Sequence, residues 1–384
     1  MTSRERVLAA LGHVEPDRVP MDLGGSLVSS ISLSSYASLR DALGLPRTTV
    51  TVLAAADGVA RVDDDVLDRL ELDAVPLFPG EPSQPWESWE DEKGSYCRDP
   101  FGTLMFMPRD GYAYDYTEVA FPGPTVRKQD LDSIRWDALT DPGYYRGLRE
   151  KALLMRAGTD RAIFSMAPNG HDLLNRWFRI RGMQEGLMDL LLNRDVVEAF
   201  FDRLTEEICR SQELFLEEVG DLIDVHFLAD DFGSQTGPIV SPEYLREVIF
   251  PRWSKIVGLV KEKTRAKVFF HTCGAVEPLI PDLIEMGVEV LNPIQLTCAG
   301  MDTRALKKKY GTNISFWGGG VDTQSVLARG TPQEVREEVR RRVGDLAPGG
   351  GFVFTPVHNI QPNVPAENVV AAFEEARRFG RYPL

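Results

Sequence analysis

Apolar positions in this chain fall into short, nearly continuous runs set apart by longer stretches with helical spacing. Eight such runs stand out: Val19-Pro20-Met21-Asp22, Ala74-Val75-Pro76-Leu77-Phe78, Ala162-Ile163-Phe164-Ser165, Leu222-Ile223-Asp224-Val225-His226-Phe227, Lys267-Val268-Phe269-Phe270, Val288-Glu289-Val290-Leu291, Ile314-Ser315-Phe316-Trp317 and Gly351-Phe352-Val353-Phe354. Their lack of alternation suits parallel strands buried on both faces. Helical stretches lie at about 196–219, 242–263, 332–343 and 365–379. The second and third are led by Ser241-Pro242 and Thr331-Pro332, a capping residue followed by proline at the first helical position. Strand and helix alternating from residue 160 onward predict right-handed βαβ units.

Residues 94–123 break the pattern. Tyr96-Cys97, Thr103-Leu104-Met105-Phe106-Met107 and the stretch 112–120 alternate like antiparallel strands separated by turn residues. The expectation is a single α/β domain spanning 1–384: a (β/α)8 TIM barrel with an N-terminal extension and a small β-meander inserted at 94–123.

Charge narrows the partners more than the fold. The 43 basic and 58 acidic side chains leave a formal net charge of -15, which opposes a phosphate backbone or an anionic membrane surface. Neither a nucleic-acid nor a membrane partner is expected. Thr2-Ser3-Arg4-Glu5 reads as a helix cap rather than a secretory leader, and no apolar window approaches the roughly 18 residues of a membrane span. Cys97, Cys209, Cys273 and Cys298 are irregularly spaced, which fits free thiols in a reducing compartment and a cytoplasmic protein.

Candidate chemistry gathers behind the strands. His271-Thr272-Cys273-Gly274 follows the fifth run and His358 follows the eighth, so in a barrel both reach the C-terminal mouth where reactive groups collect. One thiol and two imidazoles are three ligands that a catalytic zinc takes when a fourth position stays open. The plain alternative is a buried free thiol beside hydrogen-bonded histidines, with His358 binding substrate. Asp230 and Asp231 follow the fourth run. Consecutive carboxylates at a strand end need solvent or partners, and they serve either as catalytic, ligand-orienting groups or as loop caps. Asp22, Gln235, Asn359 and Gly319, within Gly318-Gly319-Gly320, are the candidate substrate contacts; glycine lets backbone come close to a ligand. Asp224-Val225-His226 matches the Asp-x-His-x-x-Gly segment of cobalamin-binding modules only in part. Ala229 stands in the glycine position, and the segment is set aside as a core strand.

Several segments carry a family likeness. They are Arg4-Glu5-Arg6-Val7-Leu8-Ala9-Ala10-Leu11 with Pro16-Asp17-Arg18-Val19-Pro20, His271-Thr272-Cys273-Gly274, Gly318-Gly319-Gly320-Val321-Asp322, and His358-Asn359-Ile360-Gln361-Pro362 with Pro365-Ala366-Glu367-Asn368-Val369. Through them the chain resembles the uroporphyrinogen decarboxylase superfamily over nearly its whole length, which implies a (β/α)8 barrel. Decarboxylases of that superfamily carry an arginine-rich Met-Arg-Gln-Ala-Gly-Arg segment that clamps the carboxylates of a tetrapyrrole. Here the place reads Met21-Asp22-Leu23-Gly24-Gly25-Ser26, and an aspartate without an arginine cannot do that work. In the corrinoid-dependent methyltransferases of the superfamily, His-x-Cys and a later cysteine hold zinc. His271 and Cys273 match, and His358 stands at the later place, as a histidine does in the decarboxylases.

The resemblance thus implies a zinc-dependent methyltransferase. It would move a methyl group between a small donor, such as a methoxylated aromatic, or a small acceptor, and the corrinoid (cobalamin) of a separate corrinoid protein. Homodimers are common on this fold. Uroporphyrinogen-type decarboxylation in tetrapyrrole biosynthesis and a non-catalytic barrel that binds a small molecule are the alternatives.

Overall fold

The computed structural model describes residues 1–54, 56–168 and 172–384. Seven parallel strands form one curled sheet in chain order: Ala74–Leu77, Ala162–Met166, Val225–Ala229, Lys267–His271, Val290–Asn292, Ser315–Trp317 and Phe352–Val353. The first apolar run joins the two edges. The Phe354 N–H donates to the Pro20 carbonyl, the Asp22 N–H to the Phe354 carbonyl, and the Asp73 N–H to the Met21 carbonyl. Residues 19–22 therefore stand where an eighth stave belongs, and the fold is the TIM-like barrel that the eight runs predict.

A buried charge cluster holds this seam. Asp73 is wholly buried and accepts from Arg6 Nη1 at 2.6 Å, Arg18 Nη1 at 2.7 Å and the Met21 N–H at 2.8 Å. Charge-assisted bonds from two guanidiniums offset the desolvation of the carboxylate. They also fasten the N-terminal helix, Ser3–Leu11, beneath the barrel. That helix starts on a full capping box, in which Thr2 accepts from the Glu5 N–H and Glu5 accepts from the Thr2 N–H. Its Val7 and Leu11 join the interior cluster with Phe164, Phe227, Phe269 and Trp317. Phe164 meets Phe269 edge-on at 4.8 Å and Trp317 at 5.4 Å between ring centroids. Each such pair contributes about 0.5–1.5 kcal/mol beyond its buried area, and together they make a rigid floor under the mouth.

Three elements differ from their sequence-based outlines. The third strand of the sheet begins at Val225 rather than at Leu222, because Asp224 is an anchor: it accepts from Arg4, Arg156 and the Ile163 N–H. His226, one residue into that strand, lies between Ser165 Oγ at 2.9 Å and Gln212 Oε1 at 2.7 Å. Burial pushes it down to about 3, so it is a neutral core histidine. The helix expected over 242–263 is interrupted by a π turn at Leu245–Ile249. Pro251 has no N–H to give and its ring would strike the carbonyl four residues back, and the wider turn relieves both.

The meander has four antiparallel strands, Glu87–Glu90, Gly94–Arg98, Leu104–Pro108 and Asp115–Glu118. It starts ahead of residue 94 because Trp89 stacks on Tyr96 at 5.2 Å and draws in an additional strand. Among the described residues no helix is long and apolar enough to cross a membrane.

Asp73→Asn takes from the buried Arg18 its carboxylate partner, while Arg6 keeps Asp17. It is expected to cost about 3–5 kcal/mol in urea unfolding at pH 7; a loss below about 1 kcal/mol, the surface ion-pair range, would show that the seam is held elsewhere.

Candidate metal centre at the barrel mouth

His271 closes its strand and Cys273 lies two residues beyond, where the chain turns into the loop. Parallel pairing places Asn292 opposite His271 on the neighbouring strand. Asn292 Nδ2 donates to the Trp317 carbonyl at 2.6 Å, and a carbonyl can only accept, so the amide oxygen must face the ring. Asn292 Oδ1 then accepts from His271 Nδ1 at 2.5 Å. The ring proton is thereby fixed on Nδ1, and Nε2 presents its lone pair to the mouth. That nitrogen is 3.4 Å from Cys273 Sγ. With His358 the three ligand atoms all lie within 4.8 Å of one another, and the two imidazoles meet edge to face, 5.4 Å between centroids. Zinc bonds of about 2.0–2.3 Å need only a modest contraction of this triangle.

The protonation of His358 and Cys273 agrees with their place beside His271. Burial, and then the neighbouring His271, pushes His358 down to about 3, so its ring is neutral. Burial, and then the carboxylate of Asp231, raises the Cys273 thiol well above its ordinary range. The outward lone pair of His271, the neutral imidazole of His358 and a thiol that ionises only against a cation are a donor set for a borderline-soft divalent ion with one position left open.

The surrounding loops are locked by backbone contact. The Cys273 N–H donates to Asp231 Oδ1 at 2.7 Å, and the same oxygen stands 3.7 Å from His271 Nε2. Gly274, at φ +95°, presses against Gly233 so closely that a Cβ would sit 2.3 Å from its carbonyl carbon. Only glycine permits that crossing. The Gly274 N–H is taken by Gln295 Oε1 at 2.7 Å.

The other sequence-based candidates take different places. Asp230 is wholly buried and accepts from the Leu173, Leu174 and Asn175 N–H groups and from Trp253 Nε1. It caps the helix Leu174–Arg181 instead of facing the thiol and imidazoles. Asp22 is likewise buried, accepting from the Gly25 N–H and from Trp317 Nε1. Asn359 accepts from the Ser30 N–H and donates to the Leu27 carbonyl, which spends its amide on joining two loops. Gly319 is buried against Ile294, and Gly318 against the Asn292 amide, so this loop is glycine-rich for packing. Gln235 is exposed and accepts from Cys298 Sγ at 3.2 Å.

Sequence reasoning missed Asn292, whose role depends on strand register. It also missed Arg179, which pairs with Asp172 at 2.5 Å and lies 5.2 Å over the Tyr116 ring of the meander. Asp57 is within electrostatic reach of Arg179, Asp172 and His271.

Asn292→Leu removes the acceptor that orients His271 and should weaken zinc binding roughly 10- to 100-fold in a chelator competition; unchanged affinity would mean that the ring needs no such support. Burial pushes the Asp22 carboxyl up to about 6. A group that holds its proton more tightly when folded gives stability that is complete below its unfolded value near 4 and lost as pH rises through 6. Asp22→Asn is therefore expected to gain roughly 3 kcal/mol on the wild type between pH 4 and pH 8, and parallel stability profiles would refute this.

Comparison with known proteins agrees with the architecture. A solved methyltransferase from Methanosarcina mazei shares the fold, with a TM-score of 0.64 at 21% identity over 99% of each chain. No curated protein matches the sequence. The family model for uroporphyrinogen decarboxylase (URO-D) matches residues 179–379, more than half of the chain and the part that carries His271, Cys273 and His358. By this match the chain belongs to the uroporphyrinogen decarboxylase family.

Proposed function

We propose that this protein is a zinc-dependent methyltransferase, working in the cytoplasm between a small methyl compound and the corrinoid of a separate protein. The observation that carries the reading is the triangle of His271, Cys273 and His358 within 4.8 Å at the mouth of the barrel. A solved protein of the same fold over the whole chain is a methyltransferase, in line with it. When bound, zinc supplies a Lewis acid that polarises the heteroatom bearing the methyl group and steadies the charge left as the methyl departs.

The chain's own residues do the rest. Asn292 keeps the His271 proton on Nδ1 and its lone pair outward. His358 stays neutral at working pH, and Cys273 gives up its proton on loading. Asp231, beside both His271 and Cys273, orients the ligands and faces solvent. The aromatic floor excludes water from below, so substrate and corrinoid meet from the open side, with the meander as part of the docking rim. The decarboxylase alternative is disfavoured by Asp22, which is buried and bonded to Trp317 where an arginine clamp would have to stand.

Protein purified without added metal should contain about one zinc per chain, and His271→Ala should lose it together with methyl transfer to a corrinoid protein. Full transfer by metal-free protein would end this reading, and release of coproporphyrinogen from uroporphyrinogen would replace it with decarboxylation.

A further inference from the structure

A cleft of about 510 Å³ opens beside His358, between that residue and the loop after the Ser315–Trp317 strand, and Thr323, Gln324, Arg329, Asn359, Gln361 and Asn363 line it. Its size suits a single-ring molecule, and among the described residues no carboxylate lines it. Arg329 is exposed at the end of the short helix Val326–Arg329. Among the described residues its guanidinium has neither an ion pair nor a hydrogen bond, whereas Arg176 and Arg179 elsewhere on the rim are both paired with Asp172. The chain carries 58 acidic against 43 basic side chains, so an unpaired guanidinium in a cleft free of acids is a local positive spot on a negative molecule. His358 forms part of the same wall. An occupant held by Arg329 can therefore extend to the third corner of the metal centre.

We propose that this cleft is a substrate subsite for a small molecule bearing a carboxylate. Arg329 takes the carboxylate in a two-pronged ion pair, the side-chain amides of Gln324 and Asn363 supply donors at its flanks, and the remainder of the molecule lies along His358. The link to methyl transfer rests on the function proposed above, but the binding itself does not.

Binding of benzoate and of its uncharged counterpart benzamide, followed by calorimetry on the full chain, separates the two. Benzoate should bind roughly tenfold or more tightly than benzamide. Arg329→Gln should erase that preference and Arg329→Lys should restore part of it, with unfolding unchanged because the side chain is exposed. Equal binding of the two ligands, or a preference that survives Arg329→Gln, overturns the assignment. So does displacement of benzoate by inorganic phosphate at similar concentration, which would mark an unselective anion site. If benzoate binds through Arg329 in a protein that transfers no methyl group, only the proposed function fails. If methyl transfer occurs and Arg329→Gln leaves the KM for carboxylated donors unchanged, only the subsite fails.

Discussion

The orientation of one amide organises the mouth of this barrel. Asn292 sits between a group that can only accept, the Trp317 carbonyl, and a ring that can do either, His271. The first contact decides the second, so a tautomer is imposed by geometry rather than by pH. Trp317 is itself fixed through its indole N–H on Asp22 and through the Phe164 and Phe269 rings. A line of side chains thus runs from the barrel floor to the lone pair that faces Cys273 and His358. For His271 and Asn292 the precision comes from paired strands, the condition under which a preorganised centre keeps its geometry, while Cys273 is held by the bond of its N–H to Asp231.

Several acids that resemble catalytic groups turn out to be fasteners. Asp22, Asp73, Asp224 and Asp230 each stand just before, within or just after a barrel strand, are almost wholly buried, and have their oxygens occupied by backbone N–H groups, indole N–H groups or guanidiniums. A carboxylate at a strand end meets free N–H groups or guanidiniums; the arginines on Asp73 and Asp224 offset the cost of removing them from water, whereas Asp22 and Asp230, bonded only by uncharged donors, are pushed up by burial. Asp231, the neighbour of Asp230, escapes this because it remains partly in solvent and touches the Cys273 backbone instead. Two adjacent aspartates consequently have opposite fates, set by alternate faces of one extended segment.

Legibility in the sequence follows how local each feature is. The eight apolar runs and the Ser241 and Thr331 caps are written in neighbouring residues and appear in the fold close to where they are expected. His271, Cys273 and His358 were legible as a group because strand ends share one rim, whatever the distance along the chain. Asn292 was not, since its contact with His271 depends on the register between two strands, which periodicity does not contain. The glycines at 318 and 319 suggested a ligand cradle, yet the space they vacate is filled by Asn292 and Ile294; sequence tells that a side chain is missing and not what occupies the gap. The π turn needed the proline at 251 to be weighed against a strong helical pattern on both sides.

The crossing of Gly233 and Gly274 has a consequence for how such a protein can diversify. With main chain resting on main chain, neither loop has a side chain to vary at the point of contact, and displacing one drags the other and the thiol with it. A change in what the barrel accepts is consequently easier to make on the remaining arc of the rim, because this quarter can move only as a single piece.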